Sequence, residues 1–207
     1  MVKLFYAPGA CSIGIHFLLE RIGRPYQRQR VDIKRGENRE PWFLGINPKA
    51  KVPTLQRDDG SVLTEFPVIA QFLAASAPQA GLAPSEPERA LRAAELTDYL
   101  VATLHMQGFS RIFRPAKFVH DPSGHEAVQR QGREIVRDGL QIVEREIKPG
   151  GSLHRGATYA DAALFYVLFW AVDRIKIEAP AACADLYSLL KSSEAASRVF
   201  QEEGITS

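Results

Sequence analysis

Two cysteines in 207 residues, Cys11 and Cys183, are too few and too far apart for a disulfide framework. They form no Cys-x-x-Cys pair, and no metal is expected. The net charge is only +2, and no aromatic-basic array accompanies it, so a nucleic-acid partner is not expected either. The longest apolar run, near Ala160 to Val172, falls short of the roughly 20 residues that a membrane span needs. No internal repeat is visible. The first strand is expected almost at Met1, which leaves no room for a signal peptide. These absences together point to a cytoplasmic protein that neither enters a membrane nor binds nucleic acid.

What is present is ordinary for a globular chain, with 45% hydrophobic and 24% charged residues. The length suits one large domain or two small ones. Lys and Arg thicken between Arg24 and Arg39. A solvated strand edge explains that run, and an anionic small ligand nearby is the alternative.

The stretch from Lys3 to Gly23 organises the rest. Leu4 to Tyr6 read as an apolar strand, broken by the turn residues Pro8-Gly9. Ile15, Leu18, Leu19 and Ile22 recur at helical spacing, and Gly23 and Pro25 close that helix. Cys11 and Ser12 therefore stand at a helix N-terminus, where free N–H groups and the helix dipole favour a thiolate. The Cys11 pKa is expected below its free value of about 8.5. Cys183, in an Ala-rich stretch, is expected to stay a buried, inert thiol.

Further along, Gln27 to Ile33 reads as a second strand, joined to the first by a right-handed crossover. Trp42-Phe43-Leu44 reads as a short helical turn. Pro53 precedes a strand of Thr54 to Gln56, and Asp59-Gly60 turns the chain into Val62-Leu63-Thr64. Glu65-Phe66-Pro67 opens a helix that buries Ile69, Phe72 and Leu73. Pro78 to Pro87 reads as a linker. Beyond it the pattern is helical: 88 to about 109, a loop over 113–122, and a helix to Ile147 that opens on a capping box, Ser123-Gly-His-Glu126. A second box, Thr158-x-x-Asp161, precedes an all-round apolar helix of the kind buried at the centre of a bundle. Two further helices end the chain.

The order strand-helix-strand, strand-strand-helix is that of a thioredoxin-like domain. With Val52-Pro53-Thr54-Leu55, Leu63-Thr64-Glu65 and Thr158-x-x-Asp161, the whole chain resembles a cytosolic glutathione transferase. Pro8-Gly9-Ala10-Cys11-Ser12, His16, and Leu104-His105 followed by Gly108-Phe109-Ser110 resemble the bacterial beta class. The resemblance implies an α/β thioredoxin-like domain over 1–77, a linker over 78–87 and an all-helical domain over 88–207. It also implies a homodimer that takes glutathione as co-substrate and a small, largely apolar electrophile as acceptor, in a detoxifying role.

The same resemblance implies site residues. Lys51, Val52 and a cis Pro53 would meet the cysteinyl part of glutathione, and Glu65 its γ-glutamyl ammonium. Relatives usually carry Gly or Ser at position 66, where Phe66 keeps only its backbone N–H and a ring that crowds the spot. Asp98 would contact glutathione across the dimer, and His105 would stand near the glutathione thiol. Cys11, Ser12 and His105 are thus the catalytic candidates. Two chemistries fit: attack by an activated glutathione thiolate, or a mixed disulfide at Cys11, which must be monothiol because Gly14 takes the second cysteine's place. A non-catalytic binding protein is the third reading, favoured by Phe66 and by Met106, which stands where relatives often carry Lys.

Overall fold

The computed structural model describes residues 1–151 and 157–206. The chain opens with β1 (Lys3–Tyr6), α1 (Ser12–Ile22) and β2 (Gln27–Arg30), followed by the short helix α2 (Pro41–Leu44). A hairpin of β3 (Thr54–Gln56) and β4 (Val62–Thr64) leads into α3 (Phe66–Ser76). The sheet order is β2-β1-β3-β4, with β1 parallel to β2 and both other pairs antiparallel. Buried Leu4, Tyr6 and Leu55 share their core with Ile13, Ile15, Phe17 and Leu18 of α1 and Ile69 of α3. Phe5, Val31 and Phe43 form a separate small core.

The helical part comprises α4 (Pro87–Asp98), a π-helical stretch (Tyr99–Phe109) that runs without a break into α5 (Ser110–Phe113), α6 (His125–Ile147), α7 (Ala160–Leu168), a second π-helical stretch (Phe169–Arg174), α8 (Ala181–Lys191) and α9 (Glu194–Glu203). A mixed α/β thioredoxin-like domain is thus followed by an all-helical one. In α7, every residue from Ala162 to Leu168 is buried, as its unbroken apolar pattern requires.

The two parts meet through α1 and α7. Phe17 stacks on Phe165 with ring centroids 4.2 Å apart. Gly14 permits the close crossing: a Cβ there would lie 2.3 Å from the Ala162 carbonyl oxygen and 2.9 Å from the Phe66 ring. A second cysteine at position 14 therefore has no room. On the far side, Arg21 pairs with Asp161 at 2.9 Å.

Three local expectations change. The second strand stops at Arg30, because Asp32 folds the chain back by accepting the N–H groups of Lys34 and Arg35. The helix from Pro87 continues to Phe113 rather than ending near 109. The Ser123 capping box does not form: Asp121 caps a 3-10 turn over Pro122–Gly124, and α6 starts behind it at His125. The second box does form in part. The Thr158 hydroxyl accepts the Ala160 N–H at 3.1 Å, and Asp161 faces the Thr158 backbone.

Candidate functional site

A cleft of about 770 Å³ opens between the two domains. Its floor is the turn after β1, from Ala7 to Cys11, and one wall is the Ala50–Val52 edge ahead of β3. The opposite wall comes from the helical domain, where His105, Met106, Ser110, Phe113 and Trp170 line it.

The floor is pinned from three directions. The Trp170 indole donates to the Gly9 carbonyl at 2.9 Å, and an Arg174 guanidinium nitrogen lies 3.4 Å from the same oxygen. From the C-terminal helix, Glu203 accepts the Gly9 N–H at 2.8 Å. The other oxygen of Glu203 sits 2.8 Å from Nδ1 of His16, which is fully buried, and Nε2 of that ring meets Glu202 at 2.9 Å. Gly9 itself has a φ of +67°, open to glycine without strain. The turn is thus a rigid shelf rather than a free loop.

Cys11 sits at the edge of that shelf, half-buried, with its thiol donating to the Val52 carbonyl at 3.4 Å. Its pKa moves opposite to the expected direction. Burial pushes the thiol up to about 12. Arg114, the N–H groups of Cys11 and Ser12, and Lys51 pull it down, but together they lose to desolvation. The sulfur keeps one side on the cleft, which tempers the size of the rise but not its sign. A buried Cys183 also goes up to about 12, through burial and the neighbouring Glu144. What separates the two thiols is access to the cleft, not acidity.

Ser12 requires a correction. Its side chain is fully buried, accepting the Ala7 N–H at 3.2 Å and donating to the Ala7 carbonyl at 3.3 Å. The hydroxyl closes the shelf and Ser12 is not among the residues that line the cleft, while its backbone N–H is turned toward the Cys11 sulfur. His105 does line the cleft. Burial first, then Arg114 and Lys51, bring its pKa down to about 4, so the ring is neutral at physiological pH. It packs edge-on to Trp170 at 4.9 Å, and its Nδ1 lies 3.5 Å from the Tyr166 hydroxyl.

Val52-Pro53 is a cis peptide, and Lys51 and Val52 both line the cleft. Glu65 is exposed at the start of α3 with a φ of +69°, paired to Lys49 at 2.8 Å. Phe66 differs from expectation. Its ring does not crowd the surface but turns inward, 4% exposed, against Tyr166 at 5.0 Å and over Gly14. The α3 N-terminus keeps the exposed Glu65 at its cap position. Asp98 lies exposed at the end of α4 and is not among the residues of this cleft.

Sequence reasoning passed over Trp170, Tyr166 and the half of the basic rim that comes from the helical domain. Trp170 and Tyr166 are polar-tipped residues in an otherwise apolar helix, which was the available signal. The rim joins Arg30 at the end of β2 and Lys34, Arg35 and Arg39 from the stretch after it to Lys51, and faces Arg114, Lys117 and Arg174 from the helical domain. Asp32 is the one carboxylate among the described lining residues.

A family model for the glutathione S-transferase N-terminal domain matches residues 9–76. Over 174 residues, the chain is 38% identical to glutathione S-transferase GstA of Escherichia coli O157:H7, covering 82% of each. The chain belongs to the glutathione S-transferase family. A glutathione transferase homolog from Sulfitobacter, solved with bound glutathione, superposes with a TM-score of 0.89 at 28% identity, over 100% of this chain and 99% of that one. A bacterial beta class transferase from Sphingomonas chungbukensis gives 0.81 at 26% identity, over 99% and 100%.

One further cluster lies behind the shelf. His16, Glu20 and Glu202 bring a donor atom each to within 4.8 Å of one another. All three are already engaged: His16 with Glu202 and Glu203, Glu20 with the Tyr26 hydroxyl at 2.6 Å, and Glu202 with Arg28 at 2.5 Å.

Proposed function

We propose that this protein is a cytoplasmic, homodimeric glutathione transferase of the bacterial beta-class type, joining the glutathione thiol to small electrophiles. The observation that carries the reading is the shelf itself. A half-open site beside Cys11 is faced by two helix-terminal N–H groups, by the Val52 backbone edge and by a neutral imidazole. Residues 1–77 would hold glutathione, 78–87 would link, and 88–207 would hold the acceptor.

In this arrangement the Lys51–Val52 edge pairs with the cysteinyl peptide of glutathione. Glu65 takes the γ-glutamyl ammonium, and the Phe66 N–H takes its carboxylate at the α3 N-terminus. Asp98 of the partner subunit completes that end of the site. The glutathione thiol then lies beside Cys11 and His105. The N–H groups of Cys11 and Ser12 hold the developing thiolate, and Arg114 and Lys51 stabilise it across the cleft. The thiol proton passes to solvent, a neutral His105 can donate a ring N–H to the thiolate, and the thiolate attacks the electrophile against the apolar wall of Phe113, Met106 and Trp170. No metal takes part.

A raised Cys11 pKa argues against a ready protein thiolate, so mixed-disulfide exchange is the slower chemistry. The test is retention on immobilised glutathione, followed by conjugation assays of the wild type and of Cys11→Ala. Binding, with much of the conjugation surviving in the variant, is the expected result. Absence of both glutathione binding and conjugation in the wild type would overturn the reading, and complete loss in the variant alone would make Cys11 indispensable.

A further inference from the structure

The basic rim exceeds what glutathione can neutralise. Glutathione carries two carboxylates and one ammonium at neutral pH. In the arrangement above, the γ-glutamyl carboxylate and ammonium lie at the α3 end, which leaves one glycyl carboxylate for the rim. Arg30 and Arg35 already share Asp32, at 3.8 and 3.9 Å. Arg39, Lys51, Arg114 and Lys117 form no ion pair among the described residues, yet all four line one cleft. They come from both domains: Arg39 and Lys51 from the glutathione side, Arg114 and Lys117 from the end of α5 and the turn beyond it.

These cations sense one another. The Lys117 pKa is lowered by partial burial and then by Arg114, Lys51 and Arg39, and the same Arg114 and Lys51 depress His105. Like charges facing each other across a cleft cost free energy in the empty state and are relieved when an anion enters between them. Arg114 and Lys117 follow Phe113 on the helical-domain wall of the cleft, where the acceptor's apolar body would lie. The second substrate is the molecule that meets them.

We infer that the acceptor is an electrophile bearing a carboxylate, its apolar body against Phe113, Met106 and Trp170 and its carboxylate between Arg114 and Lys117. This rests on the glutathione transferase reading and specifies its second substrate. In the substitution that probes it, the glutathione sulfur forms a bond to the ring carbon of a chloronitrobenzoate. The carbon–chlorine bond breaks, chloride leaves with the electron pair, and the thiol proton passes to solvent. No oxidant or reductant is required.

The experiment compares a chloronitrobenzoate with its methyl ester, each enzymatic kcat/KM divided by the uncatalysed rate with glutathione to remove intrinsic reactivity. The anion is expected to be preferred by about tenfold or more, the scale of one hydrogen-bonded charge contact. That preference should collapse toward unity in Arg114→Gln/Lys117→Gln and shrink as salt rises toward about 0.5 M. Calorimetry with glutathione alone runs in parallel on the same samples. Equal or better use of the ester by the wild type, or a preference untouched by the double substitution, overturns the carboxylate inference while leaving the transferase standing. Failure of the wild type to bind glutathione overturns both.

Discussion

Replacing Glu203 by Gln should disturb the site from its far side. The Glu203 side chain is fully buried and uses both oxygens, one toward His16 Nδ1 and one toward the Gly9 N–H, each at 2.8 Å. Gln keeps an acceptor for the Gly9 N–H but puts a neutral amide where the carboxylate oxygen met His16 Nδ1, so the carboxylate–imidazole pair is broken and Gly9 keeps only a neutral acceptor. A hydrogen bond to a charged group contributes about 1.5–3 kcal/mol, and breaking a buried pair costs about 3–5 kcal/mol. Packing volume is unchanged, so the fall should lie near about 3 kcal/mol. For a chain of this size that is a drop of roughly 6–12 °C in Tm. Differential scanning calorimetry measures it directly. Because Gly9 carries the shelf that ends in Cys11, kcat for conjugation should fall as well in the fraction that remains folded. A double-mutant cycle with His16→Asn should show coupling of more than about 1 kcal/mol, since the residues touch. A Tm within about 2 °C of the wild type would refute the argument, because no surface effect of that size could conceal the loss of a buried charge partner.

Other outcomes follow from the same geometry. Phe66→Ser should destabilise the chain by about 3–5 kcal/mol, as large-to-small core changes do, and should not tighten glutathione binding; urea titration and calorimetry check the two halves, and tighter binding would return the ring to the ligand pocket. Cys11 alkylation by iodoacetamide should be slow at pH 7 and still accelerating above pH 9, because burial holds the native thiol's pKa above that of a free cysteine. The same rise makes a stability signature: the unfolded thiol ionises near about 8.5, so the Cys11 contribution is fully present below that pH and is lost as pH climbs toward 12. His105→Gln should lower the conjugation rate without removing any ionisation from the profile between about pH 5.5 and 8, since the native ring titrates near 4. Asp161→Ala should lower Tm by removing the Arg21 pair and half of the Thr158 cap, with glutathione affinity kept in the folded fraction.

Local chemistry made much of the fold legible. Pro8-Gly9, Asp59-Gly60 and the Pro67 helix start mark breaks that tertiary structure had no reason to move. Val31 and Ile33 misled because their alternation mimics a strand, while Asp32 between them bends the chain with its own carboxylate. Ser123 lost its capping role to Asp121, two residues ahead of it. At the site, the N–H groups at Cys11 were foreseeable from the strand-to-helix turn and do face the sulfur. Their effect was outweighed by burial, which arises only when distant helices close over the turn. Phe66 points inward because Tyr166, one hundred residues later, offers it a ring, and nothing near position 66 encodes that. The basic wall was half visible as the run up to Arg39. Its other half, Arg114 and Lys117, joins only when the two domains pack.

The Glu203 contact with Gly9 spans 194 residues of chain. On the ribosome, β1, α1 and the turn between them are made long before their clamp. The thioredoxin-like half can collapse early around Leu4, Ile15 and Ile69, but the Gly9 shelf has no carboxylate to hold it until α9 has been synthesised. A chain cut short before Glu202 would therefore carry every cleft residue and still lack the acceptor for the Gly9 N–H. A contact that orders the shelf thus comes from a helix made long after the shelf itself.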